Sequence, residues 1–564
     1  MKQQAEKFLR SVEYDESCGM VKVPVLSRGY HTKLQTGYVH PVRDSVEYAL
    51  GLLDCGIEQE RAKNIFRRIA ALQDKNPESE TYGLWAYFYE EPLSEMSPPD
   101  YNWADFIGKI LLMAAMDYSA DWGEDFREEI RETILAACAC AVKRNAGLHY
   151  TNIAVMECLL TMGAGEYYGC EKYLEYGREK LERVYWFIQN NGSVSEYNSP
   201  VYTLVALEDL HYIKRYVKNS SAQRLAGALS EICWQCVGRH FHSGTQQWGG
   251  PQARNYDDFL TRQQRSMLHL AVGIPLNGYP EQFYLSLRAQ PECPESLKPL
   301  FFETRNIFQR ERTSKGFCYP CFSNSRIASW QMTEHYTLGS FQHEEMWDQL
   351  RGLLGYFGTA ENPYCLRLRT LHDGFDFSSG ELHAAQKNGK ILGVVNFAND
   401  RGDTHICLDN LKDCQTVAED LRIRFQICGR IQDLDISRNE REIRVDYKEL
   451  KLRFCYSAAE FDGNPLRIEL TENADALCFD LVLYQGEKQT ILFDEERGKA
   501  AVFLLEMDEI TEKLPEVEHR GKKVLTSFEE MSVLTRRTSG PFPMMNLEDE
   551  IRIDGRDIEE ICGF

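Results

Sequence analysis

The chain has 564 residues, of which 43% are hydrophobic and 27% are charged, and its formal net charge is −22. This composition is typical of a soluble globular protein with two or three domains. The acidic balance excludes nucleic acid or an anionic membrane as the main partner, but it is compatible with a locally basic site for a small substrate.

The amino terminus and the cysteines indicate the compartment. Residues 1–12 are polar, and no run of about 18 apolar residues occurs, so the sequence predicts a cytoplasmic protein. Its 18 cysteines are then mostly reduced core thiols. The pairs Cys233/Cys236 and Cys318/Cys321 have zinc-knuckle spacing. The first pair lies in a helical pattern and the pairs are far apart, so we predict no metal and no cofactor.

Apolar residues at helical spacing dominate the first half of the chain. Polar loops recur after every second helix, at 82–105, 145–152, 191–202 and 244–257, and no fixed-period repeat is visible. Loops on one end of successive hairpins favour a closed (α/α) toroid over a solenoid. The predicted helices are Pro41–Cys55, Glu58–Leu72, Tyr101–Tyr118, Phe126–Val142, Tyr150–Met162, Glu166–Ile188, Tyr202–Val217, Ala222–Phe241 and Asp257–Val272.

From about residue 301 the pattern changes to short alternating or β-branched runs separated by turns rich in Gly, Asn and Asp. We predict an antiparallel β-sandwich of at least ten strands, and an α + β multidomain fold overall. The predicted domains are 1–300, the toroid with catalytic residues; 301–515, the sandwich; and 516–564, a carboxyl-terminal appendage. The predicted strands are Phe317–Phe322, Arg326–Met332, Cys365–Leu371, Ile391–Ala398, Thr404–Leu408, Leu421–Ile427, Ile443–Tyr447, Lys451–Cys455, Leu466–Leu470, Ala476–Leu483, Gln489–Phe493 and Ala501–Glu506.

The loop 82–105 is aromatic, acidic and proline-rich at once. Rings beside carboxylates and an amide are typical of a sugar site. Asp100 is also placed to cap the following helix, which is a purely structural explanation for that residue. The candidates for substrate contact here are Glu90, Glu91, Asn102 and Trp103, with Asp100 as a candidate catalytic carboxylate.

The stretch 192–202 is too rich in Ser, Asn and Pro to continue the helix before it. We interpret it as the floor of a binding cleft. An ordinary helix connection with Pro200 near the next first turn is the structural alternative. Its candidate residues are Glu196, Tyr197, Asn198 and Tyr202.

Three further stretches carry polar side chains that a toroid would bring together. In 147–152 the alternative explanation is that Thr151 or Asn152 is a plain helix cap. In 248–258 the glycines and proline fix a loop, from which Arg254 could bind a substrate carboxylate through two hydrogen bonds. The structural alternative for Arg254 is a salt bridge to Asp257 or Asp258. In 333–340 the alternative to a substrate contact is that at least one of Glu334, His335 and Tyr336 makes a contact between the two domains. The candidates are His149, Tyr150, Asn152, Trp248, Arg254, Tyr256, Glu334, His335 and Tyr336.

A helical toroid followed by an antiparallel sandwich resembles chondroitin AC-type and heparinase II/III-like polysaccharide lyases. It is also similar to helical-toroid glycoside hydrolases, including some that act on glucuronides. The loops 90–106, 196–202, 250–256 and 333–339 carry the resemblance, which implies a carbohydrate-active enzyme that cleaves a glycosidic bond. The Asn-Asn-His run common in heparinase-like lyases is absent, and fold alone does not settle function.

Two chemistries fit these residues. Hydrolysis needs two carboxylates: Glu196 would be the acid, with Asp100, Glu90, Glu91 or Asp257 as its partner, and Arg254 helped by His149 would bind a uronate. Elimination needs charge neutralisation and a base, which Arg254, Asn152 or Asn198 and Tyr256, Tyr150 or His149 would supply. The abundant carboxylates favour hydrolysis, as in a glucuronidase.

A glycan-binding protein without catalysis is a further alternative, because aromatic loops would serve it as well. For the enzyme we expect an exo-acting role on short imported oligosaccharides containing uronic acid, since long polysaccharides do not enter cells. The expected partner is therefore a small oligosaccharide, without nucleic acid or membrane. A homo-oligomer is compatible with the sequence.

Overall fold

The structure is a computed structural model. It describes residues 2–25, 32–34, 37–276, 288, 290–315, 325–399, 411, 413–463, 466–494, 496–538 and 549–562. The predicted strands Phe317–Phe322 and Thr404–Leu408 and the pair Cys318/Cys321 lie outside these residues. The described chain divides into two compact units. The helical unit comprises Met1–Asn190, Tyr202–Gln235 and Thr261–Lys298, and the β unit comprises Asn191–Val201, Cys236–Leu260 and Pro299–Phe564.

The described helices confirm the predicted pattern, with shifts of a few residues at most ends. The predicted helix Tyr150–Met162 extends to Tyr168. The loop after residue 248 is longer than predicted and runs to Thr261, because a capping box of Thr261 and Gln264 begins the next helix there. The α-helices are α1 Lys2–Ser11, α2 Val42–Cys55, α3 Gln59–Leu72, α4 Asn102–Tyr118, α5 Glu124–Arg144, α6 Thr151–Tyr168, α7 Glu171–Asn191, α8 Tyr202–Tyr216, α9 Ser220–His240, α10 Arg262–Val272 and α11 Ile558–Ile561. Short 3₁₀ turns occupy Ser119–Asp121, Lys298–Phe301 and Ile431–Asp433.

The helical unit has inner and outer helices. The helices α2, α4, α6 and α8 pack one against the next, while α3 and α5 pack on α2 and α4 and on each other. The sequence explains the division. In α6 every residue from Thr151 to Gly165 is buried, as an inner helix requires, whereas α3 buries only one stripe, with Ile65, Phe66 and Ile69. This alternation is the arrangement of an (α/α) toroid.

Arg288 joins the carboxyl ends of three helices in the helical unit. Its Nε donates to Asp54 Oδ2 at 3.1 Å, and its terminal nitrogens contact Asp54, Asp117 and Tyr216. The Tyr216 hydroxyl in turn donates to Asp117 at 2.7 Å. The guanidinium is nearly buried, with 5% of its side chain exposed. Because a planar fork can bond two carboxylates at once, Arg288 fixes α2, α4 and α8 relative to one another.

The variant Arg288→Lys keeps the positive charge but loses the planar guanidinium group that bonds both carboxylates. We expect it to lower the free energy of unfolding by roughly 1–3 kcal/mol, since at least one buried partner loses its donor. Urea unfolding followed by circular dichroism measures this. Arg215→Lys, at a 46% exposed guanidinium 3.8 Å from Asp117, is the matched control and should change little. Equal effects of the two substitutions would contradict this role of Arg288.

The β unit consists of antiparallel strands. Most predicted strands are confirmed, and the predicted runs Ala476–Leu483 and Gln489–Phe493 belong mainly to one long strand, β21, because no turn interrupts them. The strands are β1 Tyr14–Asp15, β2 Met20–Val21, β3 Val23–Pro24, β4 Tyr38–Val39, β5 Phe241–His242, β6 Gln247–Trp248, β7 Ile307–Lys315, β8 Ser325–Met332, β9 Tyr336–Phe341, β10 His343–Glu345, β11 Leu353–Gly358, β12 Pro363–His372, β13 Phe375–Asp376, β14 Gly380–Lys387, β15 Lys390–Phe397, β16 Gln415–Cys428, β17 Asp435–Arg438, β18 Glu442–Tyr447, β19 Leu450–Phe461, β20 Arg467–Glu472, β21 Ala476–Leu492, β22 Lys499–Met507, β23 Glu516–Arg520, β24 Lys523–Phe528, β25 Met531–Arg536, β26 Glu550–Ile553 and β27 Arg556–Asp557, of which β1–β4 belong to the helical unit.

Two large sheets form the predicted sandwich. One has the order β10-β14-β15-β22-β19-β18-β17, and the other has the order β20-β21-β16-β12-β11-β9-β8-β7, with β13 paired to β12. Alternate residues of both sheets fill the core between them, for example Leu366, Ile423, Phe454 and Phe503. The α + β multidomain fold predicted from the sequence is therefore confirmed.

A third sheet, β23–β27, covers the outer face of the smaller sandwich sheet. Val524, Val533 and Ile551 of this sheet pack with Leu392 and Val502. The residues after 515 thus belong to the β unit through an apolar interface. None of the described helices combines the length and apolar character needed to cross a membrane.

Candidate functional site

The stretch 196–198 is fixed to the loop 249–253 inside the β unit. The Asn198 amide nitrogen donates to the carbonyls of Gly249 (2.8 Å) and Pro251 (3.0 Å), and its oxygen accepts from the Trp248 indole. The Ala253 amide donates to the Tyr197 carbonyl at 3.0 Å. Asn198 is completely buried and has a φ of 53°, which asparagine tolerates better than most residues. The predicted substrate contacts of Asn198 and Trp248 are therefore replaced by structural ones.

The same loop lies directly on strand β9. A methyl group on Gly339 would approach Gly250 Cα to 2.8 Å, and one on Gly249 would approach the Thr337 side chain to 2.5 Å. Gly250 itself has a φ of 76°, where a side chain would be strained. Glycine is needed at these positions because two backbones meet. The loop is thus held rigidly, as the glycines and proline in its sequence predict.

Replacing Asn198 with alanine is expected to lower the free energy of unfolding by roughly 2–4 kcal/mol, because two carbonyls and an indole lose their partner and alanine resists a left-handed φ. Urea unfolding followed by tryptophan fluorescence measures the loss. Asn388→Ala is the matched control, since Asn388 has a φ of 49° but an exposed side chain, so only backbone strain is added. A loss no larger than in this control would contradict the anchoring role.

Arg254 and Tyr256 follow on this loop. The guanidinium of Arg254 lies over the Trp347 ring, 5.3 Å from its centroid, and Nε donates to Gln349 Oε1 at 2.9 Å. Arg254 is half-buried, and Tyr256 is 47% exposed. Beneath them the Tyr197 ring packs with Ala253 and Trp347. The loop therefore presents a cation and a phenol from a fixed base.

An ion pair between buried His240 and partly exposed Glu311 lies behind Tyr197. His240 Nε2 is 3.2 Å from Glu311 Oε1, the Tyr197 hydroxyl donates to the same oxygen at 2.5 Å, and the Trp330 indole donates to it at 3.3 Å. His240 Nδ1 donates to the Cys236 carbonyl at 2.9 Å. With both ring nitrogens facing acceptors, the imidazole is held as an imidazolium.

The pKa values of this group follow from its contacts. Burial lowers the pKa of His240, but its bonds to Cys236 and Glu311 outweigh burial and raise it to about 10. Burial raises the pKa of Glu311, but His240 and Tyr197 outweigh it and lower it to about 2. Burial, followed by the charge of Glu311, raises the pKa of Tyr197 well above its ordinary value. Tyr197 is therefore a neutral phenol that supports the loop, and neither it nor Glu311 is placed to transfer protons at neutral pH.

The candidates in the loop 82–105 also come together, within the helical unit. The rings of Tyr87 and Trp103 lie 4.1 Å apart, and the Tyr87 hydroxyl donates to Asp100 at 2.6 Å. Asp100 also accepts from the backbone amide of Asn102, the first residue of α4, and the side-chain amide of Asn102 donates to the Tyr150 hydroxyl at 3.3 Å. The catalytic role predicted for Asp100 is replaced by these protein bonds, while the aromatic rings remain as candidate sugar contacts.

The other predicted residues differ in burial and in their partners. Glu90 is bonded to the His40 ring, and buried Glu91 accepts from the Lys33 amide at 2.7 Å. His149 is exposed, half-buried Tyr202 begins α8, and buried Asn152 lies in the first turn of α6. The exposed pair of Glu334 and His335 occupies the β8–β9 turn. Tyr336 was wrongly predicted to contact substrate, because its alternation places it in the sandwich core.

Several residues that contact Tyr197 or Arg254 could not be predicted from the sequence. His240 ends a helix and Glu311 lies in a strand 71 positions later, so no local pattern links them. Gln349 and Trp347, which contact Arg254, lie in a segment without a recognisable motif. Only the repeated glycines of 249–250 and Gly339 signalled the close backbone approach that brings these parts together.

Two groups of described side chains have the donor types of a metal site. They are Asp15, Cys18 and His40 in the helical unit, and His343, Glu381 and His383 in the β unit. In the second group His383 Nδ1 also faces Asp549 at 2.8 Å, the carboxylate–histidine arrangement that supports zinc ligands. The pair Cys233/Cys236 lies along α9 at ordinary helical spacing. The sequence-based expectation of no metal stays a prediction.

Comparison with known proteins gives limited matches. A family model described as a domain of unknown function, DUF8769, matches residues 24–277. No curated protein matches the sequence. Among solved structures, a crystal structure of heparinase III is similar with a TM-score of 0.42 and 8% identity, over 88% of this chain and 82% of that one. A structure of chondroitinase AC lyase with oligosaccharides is similar with a TM-score of 0.38 and 8% identity, over 95% of this chain and 88% of that one.

Proposed function

We propose that the protein is a carbohydrate-active enzyme that cleaves uronate-containing oligosaccharides by β-elimination. The observation that carries this proposal is the pairing of Arg254 with Tyr256 on one rigid loop. Elimination needs a cation at the uronate carboxylate and a base near the adjacent carbon. A half-buried guanidinium and an exposed phenol two residues apart are the groups that this chemistry uses.

In this mechanism Arg254 binds the uronate carboxylate and offsets the negative charge that grows on it. Tyr256 acts in its ionised form, and its phenolate oxygen takes the proton from the carbon next to that carboxylate. The bond from the neighbouring carbon to the glycosidic oxygen then breaks, a carbon–carbon double bond forms, and Tyr256 returns the proton to the departing oxygen. No water is consumed. Trp347 and Gln349 hold the guanidinium in place, so its side chain loses little conformational entropy when the substrate binds.

The carboxylates support elimination rather than the hydrolysis favoured by composition alone. A glycosidase needs an acid and a second free carboxylate. Of the partners considered for Glu196, Asp100 is bonded to Tyr87, and Glu90 and Glu91 are bonded to His40 and Lys33. Three of the four are thus engaged in holding the chain together.

Hydrolysis remains the second candidate because of Asp257. Burial raises the pKa of this carboxyl, as a general acid requires, and it lies on the same loop as Arg254. Glu196, 8% exposed, belongs to the stretch bonded to that loop. In this alternative Asp257 and Glu196 would share the acid and base roles. The variants Asp257→Asn and Glu196→Gln would then abolish turnover.

The aromatic pair of Tyr87 and Trp103 supports the choice of a sugar substrate. Rings of this kind stack on the apolar faces of pyranosides, and the neighbouring Asn102 and Tyr150 offer hydrogen bonds to hydroxyls. We assign these residues to sugar binding in the helical unit.

Incubation of the purified protein with a panel of uronate-containing oligosaccharides tests the proposal. Elimination produces ultraviolet absorbance from the unsaturated uronate together with new reducing ends. Reducing ends without absorbance would overturn elimination in favour of hydrolysis. If substrate bound but neither signal appeared with any member of the panel, the protein would be a glycan-binding protein and not an enzyme.

The substitution Arg254→Ala is expected to lower kcat/KM by about 10- to 100-fold on a uronate substrate, the value of a charge-assisted hydrogen bond. The loss should shrink on a substrate whose carboxylate is esterified, since no charge is left to bind. Initial rates on both substrates measure this. Arg467→Ala, at a 52% exposed guanidinium on β20, is the control. An equal loss on both substrates would contradict carboxylate binding.

A further inference from the structure

Three side chains with different donor atoms meet near the amino terminus of the helical unit. Asp15 ends β1, Cys18 lies in the turn between β1 and β2, and His40 lies two residues before α2. Their carboxylate, thiol and imidazole donor atoms all lie within 4.8 Å of one another. Zinc binds all three donor types, whereas calcium and magnesium take oxygen ligands. The cluster therefore has the ligand types of a zinc site.

A carboxylate holds one nitrogen of the His40 ring. Nδ1 is bonded to one oxygen of Glu90, and the other oxygen of Glu90 accepts from the backbone amide of His40 at 3.0 Å. The Tyr89 amide donates to the His40 carbonyl at 3.0 Å. A proton held between Nδ1 and a carboxylate leaves the lone pair of Nε2 to bind an ion. This carboxylate–histidine arrangement orients the ring in zinc sites.

The distance between His40 and Asp15 fits an ion that both residues bind. Nε2 of His40 is 3.4 Å from Asp15 Oδ2, and it is buried without a hydrogen-bond partner among the described residues. A hydrogen bond between these atoms would be about 2.7–3.2 Å long. Two ligand atoms that each lie about 2.0–2.1 Å from a tetrahedral zinc ion are about 3.4 Å apart. The separation is therefore that of two zinc ligands.

The turn between β1 and β2 holds the other two donors in place. Oδ1 of Asp15 accepts from the backbone amide and the hydroxyl of Ser17 at 2.8 and 2.6 Å, so Oδ2 is the oxygen that faces His40. Gly19, with a φ of 71°, closes the turn by donating to the Asp15 carbonyl at 2.8 Å. The Cys18 thiol makes a long contact of 3.8 Å with the same carbonyl. Little is lost when its sulfur turns towards an ion.

The charges around the cluster balance in two ways. The charged groups that act most strongly on the Cys18 thiol are the carboxylates of Asp15 and Glu90 and the guanidinium of Arg68. A protonated His40 beside a neutral thiol would balance them, and so would a divalent cation with a neutral imidazole and a thiolate. The first state calls for a hydrogen bond from Nε2 to Asp15, which a separation of 3.4 Å does not provide. The geometry agrees with the second state.

We propose that Asp15, Cys18 and His40 bind one zinc ion, with a water molecule as the fourth ligand. The thiol proton passes to solvent as the bond between sulfur and zinc forms, and no atom changes its oxidation state. Asp15 is 27% exposed, so the ion and the water have access. Because His40 is bonded to Glu90, the zinc ties the β1–β2 hairpin to residues 87–90. This role is structural and does not depend on the proposed elimination.

Cobalt(II) in place of zinc tests the site on the full chain, after metals have been removed with a chelator. A tetrahedral site with a thiolate gives cobalt intense visible bands and a sulfur-to-cobalt absorbance in the near ultraviolet. We expect both signals to saturate at one cobalt per chain and to vanish when zinc is added. The other described group of donors, with His343 and His383, contains no sulfur and cannot produce the ultraviolet signal. A chain without this signal would overturn the proposal and leave His40 as an imidazolium between two carboxylates.

Cys18→Ser is the specific variant and should lose the sulfur-to-cobalt absorbance. Cys170→Ser makes the same change at another partly exposed cysteine of the helical unit and should keep it. Glu90→Ala, which removes the partner of Nδ1, should weaken zinc binding by about 10- to 100-fold. A signal that survives in Cys18→Ser would contradict the site.

Crystals of the unaltered protein soaked in zinc provide a measurement that does not depend on a variant. We expect an anomalous peak at the zinc absorption edge between Asp15, Cys18 and His40. Its absence at this position would overturn the proposal.

Discussion

Tyr256→Phe is expected to lower kcat by about 10²- to 10⁴-fold, the usual contribution of a general base or acid. The phenol is 47% exposed on a loop whose base is fixed by Asn198 and by close packing on β9. Removing only the hydroxyl leaves the ring, so the KM for the oligosaccharide should change little. A fall in kcat with KM preserved would therefore identify a group that acts in the transition state.

The matched control is Tyr38→Phe, which removes another exposed hydroxyl, on a ring that is 60% exposed in the helical unit. Steady-state rates of both variants, with circular dichroism to check folding, complete the measurement. If Tyr256→Phe turned over normally while Glu196→Gln or Asp257→Asn did not, the base would not be Tyr256 and hydrolysis would replace elimination.

Replacing Glu311 with glutamine is expected to lower the free energy of unfolding of the β unit by roughly 3–5 kcal/mol, the cost of breaking a buried ion pair from one side. His240, 1% exposed, would be left as a buried cation or would lose its proton. The Tyr197 hydroxyl would lose its strong acceptor, so the loop bearing Arg254 should also loosen. Glu487→Gln, an exposed carboxylate of the same sheet, is the control and should change little.

The pH dependence follows from the two pKa values. The pKa of His240 is raised from 6.5 to about 10, so its stabilisation is complete below pH 6.5 and is lost as pH rises towards 10. The pKa of Glu311 is lowered from 4.5 to about 2, so its stabilisation is complete above pH 4.5 and is lost as pH falls towards 2. Stability from this pair should peak between pH 4.5 and 6.5. A profile above pH 6.5 that is identical in Glu311→Gln would contradict the ion pair.

The fold was largely predictable because its signals are local. Helical periodicity found α2 to α9, and alternation found the sandwich strands, since burial of one face sets both patterns. The loop before α10 was shortened in the prediction because residues 257–261 contain no strong turn signal and Gln264 completes the capping box beyond them. Nor did the sequence show that residues 191–201 join the β unit, since that depends on bonds between Asn198 and residues 50 to 53 positions away.

The site was predictable only in part. Tyr197, Asn198 and Arg254 were selected by composition and do lie together, but the first two support the loop instead of facing substrate. Exposure decides that difference, and a loop has no periodic pattern that shows which of its side chains are exposed. Asp100 shows the opposite case, because its carboxylate bonds the backbone at the start of α4, which is close to the structural explanation that the sequence offered.

The masses of the products test the central claim most directly. Complete digestion of one uronate-containing oligosaccharide of known mass, followed by mass spectrometry, compares the summed product masses with the substrate. Elimination by Tyr256 and Arg254 predicts that the sum equals the substrate mass, because no water is added. A sum larger by one water molecule for each bond cleaved would contradict elimination and assign the protein to the hydrolases.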